Sequence, residues 1–388
     1  MRIGIDARFL THPQVGGFKT YTVNLINALS QIDSDDHYIL YIDRTPVEDS
    51  LPQSDMFTYR VVPATLPLIG MPFREQILLG RHVARDKPDV VHSLCNTAPV
   101  RVPENFVLSL LDVIQVTTPQ NFPTAAGLAN YKRWAITAYS KWTILNTVRA
   151  ARRLITLSHY EKDQIVKHLG IAPERIDVTY FGVNPVFSQA SPQDRERWRV
   201  QALPNHGVSR RYIMGVGYEP RKNIPLLIEA FSQLAPSQPD LDLVIVAAET
   251  ERRLFFQQMA TELDLTDRVV VLGAVQPSDL AVLYNMAEAF IFPSERESFG
   301  APPLEALACG APTIAMNMTS LPEVLGNGAI LIDGKDVQTW ANAIELVVTD
   351  KNLRSDLVSR GLERAAELTW HRCAQDTIEV YRAVAKRS

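Results

Sequence analysis

The sequence is poor in cysteine and carries no excess of positive charge. Its three cysteines stand far apart among 388 residues, outside any CxxC or Cys/His spacing, so neither a disulfide framework nor a zinc site is indicated. The 39 lysines and arginines face 43 aspartates and glutamates, which gives a net charge of -4. Because general nucleic-acid binding depends on neutralising phosphates, this balance argues against nucleic acid as a partner. A reducing cytoplasm fits the cysteine usage best.

Long apolar runs are also absent. No stretch is long enough to span a bilayer, and the first residues lead directly into a strand-like segment without the pattern of a signal peptide. We therefore expect a cytoplasmic protein whose membrane contact is peripheral, at the inner face of the membrane.

Short runs rich in Val, Ile and Leu recur between amphipathic stretches along the whole chain. Such apolar strands, separated by helical patterns, predict parallel sheets covered on both faces. The length and the 46% hydrophobic content favour two α/β domains with separate cores. A polar stretch containing prolines interrupts the rhythm and sets the predicted boundaries. These are residues 1–186 for the first domain, 187–210 for a linker, 211–369 for the second domain and 370–388 for a helix returning to the first.

The most informative motif is FPSERESFGAPPLEALACGAP at residues 292–312. An apolar strand ends, a polar loop follows, Gly300 permits close backbone approach, and a Pro-Pro pair opens a helix. This unit binds anions in doubly wound sheets, because a helix start offers amides and positive potential. Glu297 precedes the turn and Glu305 follows it, so they are expected to flank a ligand and accept from sugar hydroxyls. The alternative is a loop charge and an exposed helix residue.

Residues 297–312 resemble the EX7E signature of retaining glycosyltransferases of family 4. Further segments resemble the family in the expected order, and they are residues 4–8, Gly16 with Gly17, residues 178–185, 219–223 and 320–324. The resemblance covers essentially the whole chain and is closest to bacterial transferases that build surface polysaccharides, often from mannose donors. It implies the GT-B fold, with two Rossmann-like, doubly wound parallel-sheet domains facing a central cleft. It also implies metal-independent transfer of a hexosyl group, with retention, from a nucleoside diphosphate sugar to an acceptor hydroxyl.

The resemblance also implies roles for single residues. Glu305 is expected to bind the nucleotide ribose, Glu297 the transferred hexose, and Lys222 the diphosphate leaving group. Lys222 supports this independently, because it follows a strand and turn at residues 215–217, where a flexible cation can meet phosphate. The backbone amides expected near the donor oxygens are those of Phe299, Gly300 and Ala301.

Two positions depart from the family pattern. Many relatives carry an arginine where this chain has Tyr218, and we consider Arg221 as its substitute in binding the donor. Relatives also place a histidine directly before the aspartate that matches Asp112, at the carboxyl end of an apolar strand. Here Leu111 replaces it, so either another group meets the hexose hydroxyl at this place or the donor carries a deoxy sugar.

Gly16 and Gly17 lie in the loop between the first strand and the first helix. In a Rossmann sheet this loop faces the ligand crevice, so we expect the pair to approach the donor diphosphate or shape the acceptor site. Ordinary turns use the same residues, and that alternative stays open.

Asp33-Ser34-Asp35 has the outline of a metal-binding DxD motif, but it follows a helix and is interpreted as a solvated cluster. His82, His92 and His159 are isolated, and nothing suggests a metal triad. No metal or other cofactor is expected, because the nucleotide sugar is itself the donor substrate.

Residues 131–153 mix cationic and aromatic side chains at helical spacing. Tyr131, Lys132, Arg133 and Trp134 open the segment, and Arg152 and Arg153 close it. This composition is typical of a helix lying on anionic lipid. An ordinary helix with its aromatic residues packed on the sheet is the alternative.

The sequence therefore predicts a transferase with a carbohydrate or lipid-linked acceptor. Two other functions remain open: a sugar-nucleotide epimerase on the same fold, and a non-catalytic subunit, which Leu111 and Tyr218 would favour. The nucleotide base, the sugar and the acceptor are not specified by these motifs.

Overall fold

The computed structural model describes residues 1–13, 16–46, 51–64, 69–117 and 128–385, and it describes only the backbone of residues 128–133. The chain divides into two compact units. Unit 1 contains Met1–Gly182 and Trp370–Ser388, and unit 2 contains Val183–Thr369. The predicted linker, residues 187–210, belongs to unit 2, and the predicted final helix belongs to unit 1.

Unit 1 is built on a seven-stranded sheet in the order β3-β2-β1-β4-β5-β6-β7, and every pair is parallel. The strands are β1 Arg2–Asp6, β2 His37–Ile42, β3 Phe57–Val61, β4 Val90–Ser93, β5 Phe106–Ser109, β6 Arg153–Thr156 and β7 Ile176–Val178. The sheet grows in one direction from β1 to β3 and in the other from β4 to β7. Its switch point therefore lies between β1 and β4, where ligands of open α/β sheets bind.

The helices of unit 1 connect these strands. They are α1 Gly17–Leu29, α2 Gly70–Phe73, α3 Leu79–Asp86, α4 Ile114–Thr117, α5 Leu128–Ala150, α6 His159–Leu169 and, from the end of the chain, Trp370–Ala385. A π-helical turn, Arg74–Leu78, joins α2 to α3, and short 3-10 turns span Arg8–Leu10 and Pro173–Arg175. One face of α5 contributes buried residues such as Ile144 and Val148 to the core beneath β5 and β6.

Unit 2 contains a six-stranded parallel sheet in the order β10-β9-β8-β11-β12-β13. The strands are β8 Arg211–Val216, β9 Leu241–Val246, β10 Val269–Leu272, β11 Ala289–Phe292, β12 Thr313–Met316 and β13 Ala329–Ile332. β9, β11 and β12 are buried along their whole length, as expected for parallel strands covered on both faces.

The helices of unit 2 cover both faces of that sheet. They are α7 Pro192–Gln201, α8 Ile224–Leu234, α9 Thr250–Glu262, α10 Pro277–Met286, α11 Ala301–Ala308, α12 Leu321–Leu325, α13 Val337–Thr349 and α14 Lys351–Glu367, with 3-10 turns at Leu203–His206, Pro220–Lys222 and Gly326–Gly328. The helix Trp370–Ala385 is accordingly α15. These two parallel sheets confirm the predicted α/β architecture.

The predicted linker is not an extended connection. Part of it forms α7, which Ser191 caps by accepting from the Asp194 amide, with Pro192 at the first helical position. Just before it, the backbone of Ser188 and Ala190 is held by the side chain of Asn285 on α10. These bonds tie the segment to unit 2. No helix in the described part of the chain is both long and apolar enough to cross a membrane.

Candidate functional site

The candidate site lies at the switch point of the unit 2 sheet. β8 and β11 are hydrogen-bonded neighbours although β9 and β10 separate them in sequence. Their carboxyl ends lead into two loops, residues 217–223 and residues 293–300. Because parallel neighbours end at the same edge of a sheet, the loops meet, and they bring Lys222 to Glu297.

Lys222 is held against the strand that leads to it. Gly217 has φ +145, and a Cβ there would lie 2.6 Å from Cγ of Lys222, so only glycine leaves room for the lysine stem. The ammonium lies 4.7 Å from the ring centroid of Phe292, the last residue of β11. The side chain is 8% exposed. Its charge is therefore held at a fixed place at the sheet edge.

Glu297 is the acceptor on which this edge converges. Its Oε1 accepts from Nζ of Lys222 at 2.6 Å, from Nη1 of Arg221 at 2.7 Å and from Oγ of Ser294 at 2.5 Å. Both loops are also joined through their backbones, because the Glu295 amide donates to the Arg221 carbonyl at 2.8 Å. Two cations thus share one carboxylate, and Arg221 also lies 3.5 Å from the Glu219 carboxylate, so two carboxylates balance the two cations. The N–H groups of Lys222 and Arg221 are donors of the kind that bind an anionic ligand.

The helix start that follows offers few amides. Gly300 caps α11 with φ +98, and a Cβ there would lie 2.6 Å from Cδ2 of Leu321. Pro302 and Pro303 come next and have no N–H, while the Leu304 amide already donates to the Gly300 carbonyl at 3.3 Å. The amides predicted near the donor, those of Phe299, Gly300 and Ala301, lie directly before these prolines.

Glu305 lies on α11 with its side chain partly exposed. Burial of its carboxyl raises the pKa to about 7, while Lys222 acts in the opposite direction and lowers the pKa. The structure therefore brings Glu297, Lys222 and Arg221 into direct contact in unit 2, and Glu305 lies on the helix that follows the Glu297 loop.

The remaining predicted residues belong to unit 1. Gly16 and Gly17 are exposed at the start of α1, where the Gly16 carbonyl accepts from the amides of Lys19 and Thr20. A Cβ on either glycine meets nothing within 4 Å, so space alone does not require glycine. Asp112 follows β5 and accepts from the Ile114 amide at 2.9 Å.

Leu111 is 4% exposed in the described structure. Its amide donates to Asn96 at 2.8 Å, and the same asparagine donates to the Asp112 carbonyl at 3.3 Å. The backbone at this strand end is thus fixed by Asn96, a residue that the sequence motifs did not single out. Little of the Leu111 side chain is exposed to form an apolar wall for a sugar.

Sequence reasoning also missed a buried network at the switch point of unit 1. Arg8 bonds to Asp6 and, at 2.6 Å, to Glu75, and Arg74 donates to Asp6 at 2.8 Å. Burial alone would raise the pKa of Asp6, but Arg74 and Arg8 outweigh it and hold the pKa at about 2. In the sequence, only residues 4–8 pointed to this network, as a segment that resembles the family but had no assigned role. Arg74 and Glu75 are distant from them in the sequence, so no local pattern joins the four residues.

The segment proposed for membrane contact forms most of α5. Its side chains Tyr131, Lys132 and Arg133 lie outside the described residues. Farther along, Thr143, Ile144, Thr147 and Val148 are buried. Trp142 is 49% and Ile136 is 57% exposed. The helix therefore has one packed face, while Trp142 and Ile136, six residues apart, are exposed on different sides of it. Membrane contact through this helix stays a prediction.

Two other predicted features have simple surroundings. Asp33 and Asp35 are exposed in the turn between α1 and β2. His92 is buried and bonds to Tyr381 at 2.7 Å and to Ser109 at 2.8 Å. Burial lowers its pKa to about 3, so it is a neutral structural residue at physiological pH.

Comparison with known proteins gives matches along most of the chain. Residues 15–187 match the family described as Glycosyltransferase Family 4, and residues 198–364 match Glycosyl transferases group 1. The O-antigen chain mannosyltransferase B of Escherichia coli is 28% identical over 63% of this chain and 64% of its own length. The serotype-specific mannosyltransferase WbdA of Escherichia coli is 27% identical over 94% of this chain but only 45% of its own length.

The chain thus spans less than two thirds of the length of each of these two relatives. Among solved structures, HepE of Anabaena in complex with UDP and glucose superposes with a TM-score of 0.70, at 18% identity, over 98% of this chain and 99% of its own. That likeness shows the fold, and it is the two-sheet GT-B fold.

Proposed function

Since the chain belongs to glycosyltransferase family 4, we propose that it transfers a hexosyl group, with retention, from a nucleoside diphosphate sugar to an acceptor hydroxyl. The acceptor is a carbohydrate or a lipid-linked glycan of a bacterial surface polysaccharide. The observation that carries the proposal is the convergence of Lys222 and Arg221 on Glu297 at the switch point of unit 2. Mannose is the sugar we propose first, because the relatives are named mannosyltransferases.

The two cations, Lys222 and Arg221, are proposed to bind the diphosphate of the donor. Lys222 and Arg221 both pair with one oxygen of Glu297, and a diphosphate offers more oxygens to these donors than that carboxylate does. Arg221 then supplies the charge that the family places where this chain has Tyr218. The fold neighbour HepE was solved with UDP, which is consistent with a nucleoside diphosphate as the ligand.

The two glutamates are proposed to hold the two ends of the donor. Once the cations turn to the diphosphate, the Glu297 carboxylate can accept from hydroxyls of the transferred hexose. Glu305 accepts from the ribose diol. The amides of Phe299, Gly300 and Ala301 would then donate to donor oxygens between them.

In the reaction, the bond from C1 of the hexose to the phosphate oxygen breaks, and a bond from C1 to the acceptor oxygen forms. The acceptor proton leaves with the nucleoside diphosphate. Negative charge grows on the departing diphosphate, so Lys222 and Arg221 stabilise the transition state more than the ground state. These cations fill the electrostatic role that a divalent metal plays elsewhere, and we propose that the transfer needs no metal.

Unit 1 is proposed to contribute the acceptor side. Asp112 lies at the carboxyl end of β5, the edge at which the switch point opens, and we assign it a catalytic contact with the reacting hydroxyl. Gly16 and Gly17, at the start of α1, are proposed to approach the donor phosphates through their backbone. Both assignments rest on position in the fold.

A membrane surface is the second proposed partner. The sequence of α5 contains no aspartate or glutamate. Exposed apolar residues four apart also lie along residues 69–77: Ile69 59%, Phe73 39% and Ile77 41%. The two segments are bonded to each other, because Tyr139 of α5 donates to Glu75 at 2.7 Å. An apolar surface without acidic side chains on α5 suits anionic lipid.

The experiment that tests the function combines binding and turnover. UDP, GDP, ADP and their hexose conjugates are screened by thermal shift, since a ligand at about 100 times its dissociation constant adds about 2.7 kcal/mol of stability. The best donor is then incubated with mannose-terminated oligosaccharides, with and without EDTA. We expect a new glycoside that retains the donor anomeric configuration, at a rate that EDTA leaves unchanged.

Other outcomes identify the alternatives. A changed sugar in the absence of acceptor would indicate an epimerase. Donor binding without turnover on any acceptor would favour a non-catalytic subunit. Loss of activity in EDTA, restored by a divalent ion, would contradict metal independence.

A further inference from the structure

Thr319 occupies an unusual backbone conformation in the loop between β12 and α12. Its φ is +57, in the left-handed region that β-branched residues rarely adopt. Among the described residues, the other non-glycine positions with positive φ are Lys87, Asn223 and Asp264, so Thr319 is the β-branched one. A residue stays in this region only when its surroundings hold it there.

The contacts of Thr319 and its neighbour explain what holds the loop. Oγ1 of Thr319 accepts from the Glu297 amide at 3.1 Å. Oγ of Ser320 donates to the Glu297 carbonyl at 3.0 Å. Two adjacent hydroxyls thus satisfy both backbone polar groups of Glu297. The next residue, Leu321, packs closely on Gly300. A Cβ on Gly300 would lie 2.6 Å from Cδ2 of Leu321.

We infer that Thr319 and Ser320 are positioning residues that fix the backbone of Glu297 for its contact with the transferred hexose. The inference rests on the proposed function. In the structure the Glu297 carboxylate is held by Lys222, Arg221 and Ser294. When a diphosphate draws the two cations away, the carboxylate loses two of these three side-chain bonds. The backbone bonds to Thr319 and Ser320 do not depend on the cations and keep Glu297 in place.

This role explains why threonine is used where glycine would adopt the backbone conformation without strain. Glycine has no hydroxyl, so the Glu297 amide would lose its acceptor. Thr319→Val keeps the shape and the strain but removes the acceptor. Thr319→Gly removes both the acceptor and the strain. Thr319→Ser keeps the hydroxyl.

These three variants separate positioning from folding. We expect Thr319→Val and Thr319→Gly to lower kcat about tenfold, the effect of one lost hydrogen bond on the transition state. Affinity for the bare nucleoside diphosphate stays unchanged, because Glu297 is assigned to the hexose. Thr319→Ser restores most of the rate. Thr319→Gly should have a low kcat, yet its thermal midpoint should not be lower than that of Thr319→Val. A purely structural role would instead make the loss of rate follow the loss of stability.

The matched control is Thr349→Val. Thr349 is exposed at the end of α13, and its hydroxyl donates to the Glu345 carbonyl of the same helix. This variant should transfer at the wild-type rate. Wild-type kcat in Thr319→Val, measured with an active wild-type enzyme, would overturn the inference.

Amide hydrogen exchange tests the geometry without any activity. The Glu297 amide should exchange faster in Thr319→Val than in the wild type, and Thr319→Ser should restore protection. Unchanged protection in Thr319→Val would overturn the inference. Failure of the wild type to transfer any hexose would overturn the proposed function instead, so the two failures are distinguishable.

Discussion

Single charged side chains decide what the unit 2 site can bind. Lys222 and Glu297 are each about nine-tenths buried, so neither charge is stabilised by full contact with water. Arg221 adds a second positive charge at 2.7 Å from the same carboxylate oxygen. An anionic ligand that draws Lys222 and Arg221 away must therefore replace the carboxylate oxygens that pair with them. Ser294 was missed from the sequence because serine three residues before a glutamate is an ordinary loop pattern.

Glu305 gives the site a predicted pH dependence. Its pKa is raised to about 7 by burial, and the ribose diol donates to the ionised carboxylate. Below pH 7 the donor must therefore bind at the cost of removing a proton. We expect affinity for the nucleotide sugar to rise about tenfold between pH 6 and pH 8, measured by calorimetry. Glu305→Gln should remove this dependence.

The same group affects stability in the opposite direction. The pKa of Glu305 is raised from 4.5 to about 7, so between these values the folded protein holds a proton that the unfolded chain has released. Its contribution makes the stability of unit 2 fall as pH rises through that window. Glu363→Gln, an exposed substitution on α14, is the control. Its stability and its affinity for the donor should depend on pH as in the wild type.

Affinity for the donor that is flat from pH 6 to 8 in the wild type would contradict the ribose assignment.

At the scale of helices and strands, the sequence predicted the strand, loop and helix around Gly300 because the glycine, the two prolines and the apolar run are local signals. The meeting of Lys222 with Glu297 needed more. It follows from the pairing of β11 with β8, although β9 and β10 lie between them in the sequence. Apolar periodicity does not specify this strand order. The anchoring of Glu297 by Thr319 depends in addition on the loop after β12, so no local pattern around either residue reveals it.

The exposed face of α5 leads to a prediction on membrane binding. Trp142 is 49% exposed beside Tyr139, at a ring-centroid distance of 6.1 Å. We expect Trp142→Gln to reduce co-sedimentation with vesicles that contain anionic lipid by about fivefold to tenfold. The variant loses the free energy gained by burying an aromatic ring in the membrane interface. Neutral vesicles should recover little of the wild-type protein.

The matched control lies on unit 2. Leu254 on α9 is 61% exposed, and Leu254→Gln should leave vesicle binding unchanged. Equal recovery of the wild type in the supernatant with and without anionic lipid would instead support α5 as an ordinary packed helix. The pairing of Arg153 with Asp177 already removes one of the cations that the sequence offered for lipid contact.

For the whole molecule, composition and apolar periodicity were enough to predict two parallel α/β sheets. The exact division of the chain needed tertiary contacts. The end of the chain is tied to unit 1 by Tyr381, which bonds to His92, and by Trp370, whose ring lies 5.2 Å from that of Phe181. The segment 183–210 groups with unit 2 through Asn285. Such bonds between distant residues leave no periodic signal in the sequence.

The central claim is that the edge of β8 and β11 in unit 2 binds and stabilises the departing diphosphate of a sugar donor. The most direct test is the turnover of Lys222→Gln with the donor and acceptor selected in the screen. Removing one preorganised charge at the leaving group should lower kcat by about 10² to 10³-fold. Lys351→Gln, on the exposed first turn of α14, should keep the wild-type kcat. If Lys222→Gln turns over at the wild-type rate, the diphosphate is bound elsewhere and the account of this site is wrong.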